Sequence, residues 1–261
     1  MTIPFSKYHG TGNDFIIIDN RFIQWIPTVS QVSSLCNRHF GIGADGLMLL
    51  SEKEGFDFAM TYYNSDGNES TMCGNGGRCM TAFAKSLELI NHKAHFRAVD
   101  GIHESEILDN ESGPVCRLKM KDTRIDHIHE DGIFLDTGSP HFVQFVKYAA
   151  TLDVFHAGRV LRYDARFLPG GTNVDFAEET EDGLFVRTFE RGVEDETLSC
   201  GTGVTAAALA HAFLHPENPG FRQITTLGGL LKVSFEQNGM VFMNIWLEGP
   251  GTFVFKGEVE V

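Results

Sequence analysis

The chain has no excess of positive charge, no apolar run of membrane-spanning length, no paired-cysteine spacing and no metal-ligand signature. Each absence removes a class of function. Lys and Arg number 21 against 35 Asp and Glu, a formal net charge of −14. Such a surface repels phosphate backbones and anionic lipid, which disfavours nucleic-acid binding and work at a membrane face. No apolar stretch approaches the ~20 residues that a spanning helix needs. The start, MTIPFSKYHGTGNDF, lacks a basic segment followed by an apolar one. No secretory signal is therefore expected, and a cytoplasmic location is. The five cysteines, Cys36, Cys73, Cys79, Cys116 and Cys200, are odd in number and include no CxxC. A disulfide framework or zinc site is disfavoured, and free thiols in a reducing compartment are expected. No HExxH occurs among the eleven histidines. There is no P-loop, and NSDGNES lacks the ligand ladder and closing Glu of an EF-hand. GIGADG at 41–46 fits GxGxxG, but a strand-like LMLL follows where the dinucleotide fingerprint needs a helix. Nothing marks a lysine for pyridoxal phosphate.

What is present is a 261-residue chain, 42% hydrophobic. That suffices for one large domain or two small ones with real cores. No low-complexity segment or long linker interrupts it. Short apolar and aromatic runs alternate with Gly, Asn and Asp clusters: DFIIID, GLMLL, FDFAMTYY, GLFVRTF, LLKVSF and MVFMNIWL. These predict strands. Helical spacing is predicted at about 30–38, after Cys73, where Cys79, Met80, Phe83, Ala84 and Leu87 recur, and after Cys200, where VTAAALAHAFL is apolar on most sides. A helix apolar all round is a buried one. The expected class is α+β, a mostly antiparallel, barrel-like sheet curling around a central helix.

The chain repeats itself. MCGNGGRCMTAFA at 72–84 resembles SCGTGVTAAALA at 199–210, with the cysteines 127 residues apart, 73 to 200. GTGNDF faces TGSPHF (Gly12 to Gly138, 126 apart), and GIGAD faces PGGTN (Gly43 to Gly171, 128 apart). FDFAMTYYN, ending at Asn64, faces GLFVRTFE, ending at Glu190, 126 further on. Four blocks in one order at nearly one offset imply two pseudo-symmetric halves, meeting near residues 120–128.

In each repeat Cys-Gly-x-Gly runs into a helix. Glycines let backbone N–H groups approach a ligand closely. The first helical turn has unsatisfied donors and partial positive charge, which suits a carboxylate. The same end lowers the pKa of an adjacent thiol. A single such motif could equally be a small buried residue before a turn. Two related by duplication point to chemistry. Inverting a stereocentre by proton transfer needs a base on one face of the carbon and an acid on the other. One thiol per half, Cys73 and Cys200, supplies both if the substrate lies in a cleft between the halves. The weak acidity of an amino-acid α-proton demands acid–base work together with stabilisation of charge on the carboxylate. Asn13, Asn64 and Asn173 end apolar runs, where they could bind a ligand or simply make turns. Glu190 and Arg191 precede the second thiol; they would suit an ammonium and a carboxylate, or form a solvated strand end. His141 is a candidate relay or a structural histidine.

KYHGTGNDF, RHFGIGADG, YYNSDGNESTMCGNGGRC, GGTNVDF, FERG and ETLSCGTG occur in order from residue 7 to 205. Together they resemble the successive motifs of the diaminopimelate epimerase family. The resemblance implies an isomerase without pyridoxal phosphate or metal, interconverting LL- and meso-2,6-diaminopimelate for lysine and peptidoglycan synthesis. It implies two similar halves closing over substrate, with the last strand returned to the first half: 1–122 plus 250–261, and 123–249. By resemblance Cys73 and Cys200 match the acid–base thiols. Asn13, Asn64 and Asn173 match substrate-contacting asparagines, and Glu190 and Arg191 the pair at the reacting end. Gly74, Asn75, Gly201 and Thr202 match helix-start amides, and His141 a histidine near the thiols. A homodimer is a further expectation. The chain also departs from the pattern. Ser139 replaces the Asn of GNPH, Gly46 stands where some members have Gln, and Gly77 where a larger residue is common. ERG-x-GET is here ERGVEDET, one residue longer. Those departures leave open a related racemase of proline, hydroxyproline or another amino acid, and a non-enzymatic amino-acid-binding module.

Overall fold

The computed structural model describes residues 1–108, 115–217 and 220–261. The chain divides into two compact units, Met1–Leu118 with Gly249–Val261, and Lys119–Glu248.

In the first unit β1 (Thr2–Gly10) lies antiparallel between β18 (Thr252–Glu260) and β2 (Asn13–Asp19). The β1–β2 turn is Thr11-Gly12, both at positive φ (50° and 87°), the backbone a tight right-twisting hairpin requires. α1 (Val29–Cys36) carries the chain to β3 (Gly46–Ser51), parallel to β2. β4 (Phe58–Asn64) returns antiparallel and carries a short partner, β5 (Glu69–Ser70). α2 (Gly74–Ser86) then crosses over to β6 (Lys93–Ala98), parallel to β4, and β7 (Gly101–Leu108) and β8 (Val115–Lys119) follow as a meander.

Both faces of β2 and β3 are covered, which is why they read as unbroken apolar runs. Ile16, Ile18, Leu47 and Leu49 pack with Ile3 and Phe5 against Val32 and Leu35 of α1. α2 packs against β1, β2, β3, β7 and β18, and ten of its 13 residues are buried. Each large side chain so buried contributes roughly 1.5–3 kcal/mol of transfer free energy.

The second unit repeats this plan. β9 (Thr123–His129), β10 (Gly132–Asp136) and β11 (Pro140–Phe145) are antiparallel neighbours. α3 (Val154–Arg162) leads to β12 (Asn173–Thr180), parallel to β11, and β13 (Gly183–Glu190) pairs with β12 and with β14 (Asp195–Thr197). α4 (Gly201–Leu214) crosses over to β15 (Phe221–Thr226), parallel to β13, and β16 (Gly229–Asn238) and β17 (Val241–Pro250) complete the meander. β17 pairs back to β9 through Val241↔Arg124 and Phe242↔Thr123. The duplication persists in the registers: Phe58↔Phe96 in one unit corresponds to Leu184↔Ile224 in the other. Each unit is thus a curled sheet around one central helix. α4 has eleven of 14 residues buried, and its run of alanines lets the strands approach from all sides.

α3 was not legible as a helix. VFHAGRVLR is short and carries His and two Arg, so its apolar stripe is thin. It forms because Asp153 caps it, accepting from His156 N at 3.1 Å, and because its inner face meets Val174, Phe176 and Phe189. Gly158 is the contact point; a Cβ there would lie 2.3 Å from Phe189 Cβ. The predicted helix at 30–38 runs from Val29 to Cys36, closed at its start by a reciprocal Thr28–Gln31 capping box. Among the described residues no helix is long and apolar enough to cross a membrane.

Gly158→Val is expected to destabilise the second unit by about 1–3 kcal/mol or more, because the Phe189 Cβ it meets is fixed to its strand and cannot swing away. A urea midpoint equal to that of the unaltered protein would show that α3 does not depend on this contact.

Candidate active site

Cys73 and Cys200 are each the N-cap residue of the central helix of their unit. Both have extended backbone angles, φ −93°, ψ 133° and φ −111°, ψ 113°. The first i to i+4 bonds close as Gly77 N to Cys73 O at 2.7 Å and Val204 N to Cys200 O at 2.8 Å. The donors of Gly74, Asn75, Gly201 and Thr202 cannot be satisfied within the helix. Neither thiol caps the helix with its own sulfur.

All five cysteines are free, and Cys73 is half-buried where the other four are buried. Burial pushes the thiols of Cys36 and Cys116 up to about 11, and that of Cys79 further still. These three are packing residues.

Around Cys73 the first unit gathers Asn13 and Asn75. Cys73 Sγ is 3.6 Å from Asn13 Oδ1, and Asn75 Nδ2 donates to the same oxygen at 3.3 Å. Asn13 Nδ2 donates to Asp45 Oδ2 at 2.7 Å. Asp14 anchors the neighbouring backbone. Burial would raise its carboxyl, but hydrogen bonds from Arg38 and Lys7 outweigh that and hold it at about 2. Asn64 closes β4 and faces Gly46 in the ladder, which in turn faces Phe15. Its side chain makes no hydrogen bond among the described residues, and it is not part of the hydrogen-bonded group around Cys73. Gly46 is glycine for a steric reason. A Cβ there would meet the Tyr62 ring at 2.5 Å and Tyr63 O at 2.6 Å. At Gly77, a Cβ would come within 3.0 Å of the Met72 sulfur and 3.1 Å of Leu118.

Around Cys200 the second unit builds a deeper network. Cys200 Sγ is 3.4 Å from Thr202 Oγ1, which is 2.9 Å from His141 Nε2. His141 Nδ1 is 2.7 Å from Asp175 Oδ2, and Thr188 Oγ1 donates to Asp175 Oδ1 at 2.7 Å. His141, Asp175 and Thr205 are wholly buried. Gly203 admits Asp175 beneath the helix start, since a Cβ would lie 2.2 Å from its Oδ1. Asp175 and Thr188 were not singled out from the sequence; the NVDF strand reads as apolar, and only the fold turns its one carboxylate inward. Burial pushes the Cys200 thiol well up, and the carboxylates of Glu190 and Asp175 add to it; Thr202 and the Gly203 N–H oppose them more weakly. For Cys200 this reverses the expectation that the helix start would lower the thiol.

Asn173, Ser139 and Arg191 form a second group beside this network. Asn173 Nδ2 donates to Ser139 Oγ and Pro140 O, both at 2.8 Å, and its Oδ1 accepts from Arg191 N at 2.8 Å. Arg191 Nη2 reaches Ser139 Oγ at 3.4 Å and Nη1 reaches Gly170 O at 3.4 Å. Ser139 therefore holds Asn173 and Arg191. The lengthened loop after Arg191 is fastened by Glu194, at φ 60°. Its Oε1 accepts from Arg162 Nε and Nη2, both 3.1 Å, and from Gly192 N at 3.0 Å, and its Oε2 from Tyr163 OH at 2.7 Å. Glu194 thus bolts the loop to the end of α3.

Glu194→Ala removes that bolt. It is expected to loosen the 190–195 turn with little effect on global stability, seen as faster backbone amide exchange confined to residues 190–195. Unchanged exchange there would show that the loop is held by its own backbone.

The sequence profile of the diaminopimelate epimerase family matches residues 5–121 and 133–250. A diaminopimelate epimerase of Flavobacterium psychrophilum is 49% identical over 253 residues, covering 96% of this chain and 97% of that protein. One from Chlorobaculum tepidum is 42% identical over 262 residues, covering 96% and 98%. In fold, a phenazine biosynthesis protein of the PhzF family from Bacillus anthracis superposes with a TM-score of 0.80 over the whole of both chains, at 16% identity. With a match across both units and relatives of this identity over nearly its full length, the chain belongs to the diaminopimelate epimerase family.

Proposed function

We propose that the chain interconverts LL- and meso-2,6-diaminopimelate by two-base proton transfer at one α-carbon, with Cys73 and Cys200 as the two bases. The supporting observation is that two cysteines, one per repeat, stand at the N-cap position of glycine-led buried helices in a chain of this family. One sulfur, as thiolate, takes the α-proton; the other, as thiol, gives its own proton to the opposite face. The product leaves with inverted configuration and the two sulfurs with exchanged protonation. Charge that flows into the substrate carboxylate is met by the first-turn N–H groups of Gly74, Asn75, Gly201 and Thr202, fixed donors that need no reorganisation. Glu190 and Arg191 hold the ammonium and carboxylate of the amino-acid end. Asn13, Asn64 and Asn173 orient the rest, with Ser139 setting Asn173 and Arg191.

The surroundings of Cys200 support its resting role. It is buried and feels the carboxylates of Glu190 and Asp175, so in this reading it rests protonated and enters as the acid. His141 gives its proton an internal partner through Thr202. Free thiols throughout fit a reducing cytoplasm. A homodimer, the commonest closed assembly, is the oligomer we expect, readable by sedimentation velocity.

Cys73→Ala and Cys200→Ala are each expected to lower kcat for diaminopimelate epimerisation by at least about a hundredfold, the scale of losing one acid–base group. The reading is tested by following deuterium from solvent into the α-position of LL-diaminopimelate. Full turnover in either variant, or a higher kcat/KM for proline, would sink it.

The pH dependence has a definite sign. Burial and neighbouring carboxylates favour the neutral thiol, so iodoacetamide should alkylate Cys200 only above the pH at which an ordinary cysteine reacts. Asp175→Asn should move that onset down. An onset at or below the ordinary cysteine range would overturn the assignment of Cys200 as the resting acid.

A further inference from the structure

Arg78 is wholly buried, and among the described residues no carboxylate pairs with it. A buried cation without a counter-ion is costly unless its donors are all used. Arg78 uses four. Nη2 donates to Asn75 Oδ1 at 2.9 Å and to Thr11 Oγ1 at 3.3 Å, Nη1 to Gly74 O at 3.3 Å, and Nε to Pro250 O at 3.4 Å. All of these partners belong to the first unit. They include both residues that open α2 behind Cys73 and the turn before Asn13.

A guanidinium can only donate. Asn75, 1% exposed, must therefore turn its oxygen to Arg78 and its NH2 away. That NH2 meets Asn13 at 3.3 Å, so Asn13 must present its oxygen there, and it is this oxygen that lies 3.6 Å from Cys73 Sγ. The NH2 of Asn13 is left for Asp45 Oδ2 at 2.7 Å, and an ionised carboxylate can only accept. Two amides, each able to face either way, stand between a group that only donates and a group that only accepts. One orientation of the pair satisfies both ends; every other sets like against like. Asp45 is held in turn by Arg38 Nη2 at 2.7 Å and by the Asp14 N–H at 3.2 Å.

We propose that Arg78 and Asp45 are positioning residues that fix, from opposite ends, which way the Asn75 and Asn13 amides face, and hence that a carbonyl oxygen rather than an NH2 is presented to Cys73. The buried charge of Arg78 serves direction as well as packing. For turnover this rests on the epimerase reading; for the reactivity of Cys73 it does not.

The test measures iodoacetamide alkylation of Cys73 by peptide mass spectrometry in the full chain, with Cys200 as internal control, alongside kcat/KM for diaminopimelate. Arg78→Gln can present either end of its amide and loses the direction. Asp45→Ala removes the accepting end at a side chain 42% exposed, so it leaves the core intact and carries the test even if Arg78→Gln does not fold. Arg78→Lys still only donates. In Arg78→Gln and Asp45→Ala the Cys73 rate is expected to change by at least about threefold and kcat/KM to fall about tenfold or more, with Cys200 alkylation unmoved. Arg78→Lys should stay within about fivefold of the parent in kcat/KM, and its Cys73 rate within about twofold. Asp45→Ala matching the parent in both readouts, or a folded Arg78→Lys as impaired as Arg78→Gln, would overturn the proposal. If the parent protein fails to turn over diaminopimelate while the Cys73 pattern holds, the activity reading fails and the proposal stands.

Discussion

The structure of each unit depends on where its central helix begins. A helix enclosed by its own sheet must start somewhere, and its first turn carries donors that the helix cannot satisfy. At the surface, water would take them. Here α2 and α4 begin at residues that are buried from Gly74 and Gly201 onward, with no side chain capping either end. A fold that leaves such donors uncapped has a standing affinity for an anion, which is why the proposed reading seats the substrate carboxylate there. Gly203 follows from the same requirement, because a Cβ there would collide with Asp175 at 2.2 Å, and at Gly76 a Cβ would press on the Met48 sulfur at 3.1 Å. Strand parallelism follows too. β4 and β6, and β13 and β15, run parallel because the connection between them is the helix they enclose.

Duplication supplied two equivalent helix starts, and divergence has placed unlike buried charges beneath them. Beneath Cys73, five residues along the helix, stands Arg78; at the same place after Cys200 stands Thr205. Beneath Gly203 lies a carboxylate, Asp175, where Met48 lies beneath Gly76. A two-base inversion benefits from this. On the proposed reading the two sulfurs must differ in protonation when substrate binds, and unlike buried charges bias which of them holds the proton.

Much of this was legible in the sequence, and the parts that were not share a cause. The strands at DFIIID and GLMLL showed themselves because both faces are buried. The helices after each cysteine showed themselves because a buried helix is apolar all round. The thiols stood out because the repeat placed them at the same point twice. α3 escaped notice because a helix covering one patch of sheet needs only Val154, Gly158 and Leu161 on its inner face, too few to set a period against His and Arg. Asp175, Thr188, Arg78 and Asp45 escaped notice for a different reason. A polar residue in a strand or helix reads as solvent-facing until the fold shows which side is inward. The roles of Ser139 and Glu194 depend on loops whose paths no periodicity encodes.

The raised thiol of Cys200 shows how two sound arguments are weighed. A helix start stabilises a thiolate by partial charges at its first turn, an effect of up to about 2 kcal/mol in partly buried sites. Complete burial of an ion costs several kcal/mol, and two nearby carboxylates add to that. With Cys200 7% exposed and both Glu190 and Asp175 acting on its sulfur, desolvation and repulsion exceed the dipole. Bound substrate changes the terms of that balance. On the proposed reading, an ammonium group held by Glu190 would cancel one of those two repulsions, and the pKa that governs turnover is that of the occupied site.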